Sequence, residues 1–177
     1  MKVKSTPIPI DSSVNKYLPA NYSDVFSCET TSNTLSPDDI VTSFFTDMPG
    51  WVNALFKLRH FLVRFVGLKG DDGDIRQLEE CIRTGGKNGF VSVPDKNDHE
   101  TVLLLEDKHL NAYLSVYVTK LNSNKQNVSL ITVVHFNKKL GNIYFSIIKP
   151  FHKIVVKSML KRVLSKNSIN ETASISK

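Results

Sequence analysis

Cysteine is nearly absent from this chain. Cys28 and Cys81 are the whole complement, too few for a disulfide framework, and nothing around either has the spacing of a metal site. Two reduced thiols in a cytoplasmic protein are therefore expected. Long uncharged apolar runs are missing too: a bilayer span needs about 20 apolar residues, and no stretch provides them, so no stable membrane insertion is expected. The N-terminus, MKVKSTPIPIDSS, carries basic residues without the apolar segment of a secretory signal. There is no G-x-G-x-x-G fingerprint for a dinucleotide, no G-x-S-x-G turn for a serine nucleophile, and no internal repeat.

Charge is unevenly placed along the chain. From Lys149 to the end there are seven Lys or Arg against the single acid Glu171, whereas the preceding chain holds sixteen of each sign. The formal charge of +6 thus sits wholly at the C-terminus. Such a basic strip can meet nucleic acid or anionic lipid. These lysines, however, fall opposite an apolar arc, no aromatic side chain interleaves with them to stack on bases, and there is no second basic patch. The strip reads as a solvated face, and no nucleic-acid partner is expected.

A chain of 177 residues can bury roughly 70% of its surface without a staple, which fits one domain with tails. Residues 1–20, with Pro7, Pro9 and Pro19 and little periodicity, read as an extended arm. Residues 21–166 read as a single domain, and the small, polar residues 167–177 as a disordered tail. Tyr22 to Thr31 alternates as a first strand, with Val25 and Ser27 on one face and Phe26 and Cys28 on the other. Ser36 can cap a helix whose first turn holds Pro37, Asp38 and Asp39 and whose apolar stripe is Ile40, Val41, Phe44, Phe45 and Met48. Pro49-Gly50 ends it. A second helix, Trp51 to Val66, is apolar round most of its circumference; Asn53, Lys57, His60 and Arg64 make a narrow polar edge. It must be buried on more than one side or contribute to an oligomer interface. Ile75, Leu78, Cys81 and Ile82 make a short third helix closed by Gly85 at the C′ position.

From Phe90 the period changes to two. Phe90 to Val93, Glu100 to Glu106, His109 to Thr119, Val128 to Asn137 and Asn142 to Ile147 read as strands joined by short turns, hence an antiparallel meander. The third of these is the sharpest, with Leu110, Ala112, Leu114, Val116 and Val118 on one face and Asn111, Tyr113, Ser115, Tyr117 and Thr119 on the other. A final amphipathic helix spans Lys149 to about Lys166, with Pro150 at its first position. Phe151, Val155, Val156, Met159 and Val163 form its apolar arc, and Lys149, Lys153, Lys157 and Lys161 its wet side. One apolar sheet face and one apolar helix arc must cover each other, and the first strand can pair with the far edge of the sheet.

This α+β order of about six strands and a long C-terminal helix, with two helices between strands 1 and 2, resembles the helix-grip, or START-like, superfamily that includes polyketide cyclases. The resemblance implies a curved sheet wrapped around that helix, with a cavity between them. The segments PGWVNALFKLRHFLVRFVGLK, EDKHLNAYLSV and TVVHFNKKLGNIYFSIIKPFHKIVVKSML are similar to a bacterial family numbered 2867 among domains of unknown function. That likeness covers most of Tyr22 to Lys161. Some of its relatives follow a short-chain reductase-like, NAD-binding domain, which implies an accessory role.

Candidate site residues follow from misplaced polarity. Arg59 projects into the apolar arc of the second helix; a guanidinium there needs a carboxylate, carbonyls or the acid group of a ligand, and Asp107 or Glu106 is the expected ion-pair partner. His152 falls on the apolar arc of the last helix, either bonded to a neighbouring carbonyl or aimed into a cavity. Glu100, Glu106, Asp107 and His109 cluster in sequence. Neighbouring strand positions point to opposite faces, however, so neither metal nor any other cofactor is expected. The candidate ligand-binding set is Arg59, His152, His109, Asp107, Trp51, Tyr113 and Phe151, with no catalytic residue assigned. The expected function is non-catalytic binding of a small apolar or amphipathic molecule. Two alternatives stay open: an enzyme of the cyclase or hydrolase kind using His109, His135 or His152, or an interaction module whose second helix forms a homodimer or docks on a reductase.

Overall fold

The computed structural model describes residues 1–32, 34–55, 75–89, 91–106 and 108–175, with the side chains of 75, 76 and 168–175 left aside. Its centre is a seven-stranded sheet in the order β1-β2-β7-β6-β5-β4-β3. The strands are β1 (Lys4–Ser5), β2 (Tyr22–Thr30), β3 (Lys87–Asn88), β4 (Val91–Lys96), β5 (Glu100–Glu106), β6 (Leu110–Asn122) and β7 (Lys125–Phe136). All neighbours are antiparallel. β3 to β7 form the meander, and β2 joins it at β7 with Asp24 opposite Thr132 and Phe26 opposite Leu130.

Local signals explain the helices between β2 and β3. In α1 (Pro37–Thr46) the Ser36 hydroxyl accepts from Asp39 N at 3.2 Å, satisfying a backbone donor the helix leaves free. α2 begins directly after, at residues 50–55. α3 (Ile75–Thr84) ends on Gly85 at φ 77°, where Gly85 N and Gly86 N both donate to the Cys81 carbonyl. Lys96 then ties the pieces together, donating to the Ile82 and Arg83 carbonyls at the end of α3 and to Asp38 at the start of α1.

The last element differs from the sequence expectation. α4 spans Lys139–Ile175, so Asn142 to Ile147 is helical and not a strand, Pro150 lies inside the helix, and the helix runs on through the polar residues after Lys166. The first strand accordingly pairs with β7. Two contacts account for the change. Asn137 N and Lys138 N donate to the His109 carbonyl, turning the chain sharply after β7. Gly141 then passes so close that a Cβ there would lie 2.2 Å from that carbonyl oxygen. The apolar residues of 142–147 also divide between two helix faces. Phe145 is buried, with its ring 4.7 Å from Tyr22 and 5.7 Å from Phe136, while Ile143 and Ile147 face outward.

Both sheet faces are covered. On one, Val156, Leu160, Val163 and Leu164 of α4 and Ile40, Val41, Cys81 and Ile82 of α1 and α3 pack on Phe26, Cys28, Leu103, Val116 and Leu130. Each fully buried aliphatic side chain is worth about 1.5–3 kcal/mol, so this layer carries most of the stability. On the other, the N-terminal arm lies along the sheet. Its 3-10 helix (Ser13–Tyr17) seats Val14 against Val25, Tyr117, Ile131 and Val133. Glu100, 1% exposed, pins that helix by accepting from Ser12 Oγ at 2.6 Å, Ser13 N at 2.6 Å and Ser115 Oγ at 2.5 Å.

Candidate functional site

Strand parity decides what faces α4. Phe26 and Cys28 belong to the helix-covered layer, so Tyr22 and Asp24, four and two residues before Phe26, point the same way. Register puts Thr132 beside Asp24 on that face. α4 crosses above and brings His152 down, with Nε2 3.5 Å from Asp24 Oδ1 and side chains only 19% and 9% exposed. The Tyr22 hydroxyl donates to Asp24 Oδ2 at 2.5 Å, and the Tyr22 and Phe145 rings wall off the imidazole at centroid distances of 6.3 and 6.2 Å.

The electrostatics follow from that geometry. Burial raises the Asp24 carboxyl, but His152 and the Tyr22 hydroxyl outweigh it and hold the group below its ordinary value. The Tyr22 phenol is pushed up by burial, then by the adjacent carboxylate. Not all of the polarity is satisfied: Asp24 Oδ1, His152 Nε2 and Thr132 Oγ1 are buried without a hydrogen bond of proper geometry. At 3.5 Å the Asp24–His152 contact is an ion pair when the ring is protonated, and looser than a hydrogen bond.

A groove of about 600 Å³ runs along the free edge of β2, where β1 no longer pairs. Tyr22 and Asp24 line it, Pro7, Ile8 and Ala20 of the arm form its far wall, and Lys149 and Lys153 stand on its rim. Lys149 also lies 4.8 Å from the Tyr22 ring centroid, a cation over an aromatic face.

The remaining sequence candidates scatter. Tyr113 is on the opposite sheet face, stacked on Tyr17 of the arm at 3.9 Å and edge-on to His135 at 5.9 Å. His135 donates from Nε2 to the Tyr17 carbonyl at 2.8 Å. His109 sits half-buried in the turn before β6, its carbonyl engaged by Asn137 and Lys138. Trp51 and Phe151 are 43% and 48% exposed, so Phe151 leaves the buried arc on which Val156, Met159 and Val163 remain. Arg59 and Asp107, and with them the expected ion pair, lie outside the described residues; Glu106 pairs with Lys87 at 2.9 Å. Among the described residues no group of His, Cys, Asp or Glu could hold a metal ion, and no helix is long and apolar enough to cross a membrane.

Sequence reasoning missed Asp24. It stands in an ordinary alternating strand, and the one available signal was a carboxylate at a position whose parity matches Phe26 and Cys28.

A family model described as a protein of unknown function (DUF2867) matches residues 17–159. The chain belongs to this family. The matched span includes β2 to β7 and α4 as far as Met159, and therefore Tyr22, Asp24, Thr132 and His152 together. A crystal structure of a conserved protein from Geobacillus kaustophilus is similar, at 14% identity, over 82% of this chain and 94% of that one, with a TM-score of 0.41. No curated protein matches the sequence.

Proposed function

We propose that this DUF2867 protein is a non-catalytic binder of a small amphipathic molecule, of helix-grip type and working in the cytoplasm. Its ligand is held at the open end of the sheet–helix layer with its polar group on Asp24. The middle of that layer is packed by Val156, Leu160, Val163 and Leu164, so the space for a ligand narrows to the end where α4 crosses β2. One observation carries the reading. Three buried polar atoms, on Asp24, Thr132 and His152, converge beside a groove that Asp24 itself lines, and among the described residues none of the three makes a hydrogen bond of proper geometry, the Asp24–His152 contact being the looser ion pair. A buried polar group left unmatched costs about 1–3 kcal/mol, and a ligand hydroxyl or amide, which both donates and accepts, would relieve it. Pro7, Ile8 and Ala20 offer the apolar wall, and Lys149 and Lys153 suit an acidic end. The two buried free thiols fit a reducing compartment.

A second reading rests on the Asp24–His152 contact, in which a carboxylate orients an imidazole for acid–base work. His152 does not line the groove, whereas Tyr22 and Asp24 do, which favours binding over turnover. Native mass spectrometry of protein purified from cells tests the proposal. The expected result is a small-molecule adduct that is lost on solvent extraction and missing in Asp24→Asn. Unmodified mass, together with an ordered water bridging Asp24, Thr132 and His152 at high resolution, would overturn it.

A further inference from the structure

Turning residues 139–148 into helix has a consequence for the outside of the molecule. Leu140, Ile143, Ile147, Phe151 and Ile154 recur at three- and four-residue steps and are 46%, 60%, 56%, 48% and 58% exposed. At 1.5 Å per residue the stripe is about 21 Å long. It points away from the sheet, opposite the face that carries His152, Val156 and Met159. Helices that keep one apolar side normally bury it; this helix has a second one, unpartnered among the described residues.

The flank of the stripe identifies its occupant. Lys149, Lys153, Lys157 and Lys161 follow one another at i, i+4 down one side, all exposed. Among the described residues none has a carboxylate within salt-bridge distance; the basic residues that do are elsewhere, as in Lys166 with Asp47. From Lys138 to Lys166 there are eight Lys or Arg and no acid. We propose that the outer face of α4 docks on an anionic lipid bilayer, its apolar side chains entering the headgroup boundary and its lysines meeting lipid phosphates. This is adsorption in the plane of the surface and involves no spanning segment. A second copy of the chain fits less well, because an antiparallel two-fold pairing of the stripe sets two lysine rows on the same side. With two apolar faces on α4, the lysines border apolar surface on both sides.

Sedimentation of the full chain with phosphatidylcholine vesicles and with equal mixtures of phosphatidylcholine and phosphatidylglycerol tests this. The protein should pellet with the mixed vesicles only, and less as salt rises. Lys157→Gln with Lys161→Gln should weaken partitioning about 30-fold, from two lysines at an anionic surface. Ile143→Ser with Ile147→Ser should abolish pelleting while circular dichroism and any co-purifying adduct stay unchanged, since neither side chain is in the core or the groove. Wild-type protein that stays in the supernatant, or either variant binding like wild type, refutes the proposal. So does light scattering that reveals a dimer broken by Ile143→Ser with Ile147→Ser, which would give the stripe to a second copy.

Discussion

Replacing Glu100 by Gln changes one atom and one charge at the point where the arm is fastened to the sheet. Oε1 takes hydroxyl hydrogens from Ser12 and Ser115, and Oε2 takes the backbone N–H of Ser13. Glutamine keeps one acceptor oxygen for the two hydroxyls and turns an NH2 group against the Ser13 N–H, donor against donor. A hydrogen bond to a charged group contributes about 1.5–3 kcal/mol, and a buried donor left alone costs about 1–3 kcal/mol. The exchange should therefore destabilise by about 2–4 kcal/mol. Glu100→Ala, which frees all three donors, should lie at the upper end or beyond. For a chain of this length the glutamine variant should lower Tm by about 4–16 °C. Urea denaturation gives the energy, and amide hydrogen exchange gives the place: protection should fall first over residues 11–17, whose contacts with the sheet include Tyr17 to Asp95 and Asp11 to Tyr117. A glutamine variant within 0.5 kcal/mol of wild type, with the arm still protected, would show that the carboxylate is not what holds it.

Asp24→Asn should narrow its stability gap to wild type as pH falls. The folded carboxyl sits below its ordinary value, so its contribution is full above about pH 4 and is lost as pH drops through the folded pKa; urea midpoints against pH read this directly. Gly141→Ala should cost about 1–3 kcal/mol, because the added methyl meets a backbone carbonyl that cannot swing aside; thermal melts decide it, and an unchanged Tm would mean that the start of α4 can move. Leu160→Ala, at a fully buried position in the sheet–helix layer, should cost about 2–5 kcal/mol by urea titration, whereas Ile154→Ala on the outer stripe should stay within about 0.5 kcal/mol.

Much of the architecture was legible residue by residue. Ser36-Pro37 started α1, Gly85 closed α3, and the alternation in β2 and β6 assigned Phe26 and Val116 to one face and Val25 and Tyr117 to the other, as the two apolar layers require. These features depend on φ/ψ preferences and on neighbours a few positions away. The start of α4 was not legible in the same way. Asn142 to Ile147 has apolar residues that satisfy a strand and a two-faced helix equally, and Pro150, which locally favours a helix start, lies in the interior of α4 instead. The choice was made by the His109 carbonyl crowding Gly141 and by Tyr22 and Phe136 receiving Phe145.

The same division holds for the candidate site. Sequence alone marked His152 as a polar residue out of place and determined which way each strand residue points. Only tertiary structure set Asp24 opposite Thr132, laid α4 across them, covered the far face with the arm, and turned Ile143, Ile147 and Phe151 outward. The reason is one of range. A residue's own side chain and near neighbours decide its backbone state, but which of two apolar faces is buried depends on what the rest of the chain brings against it.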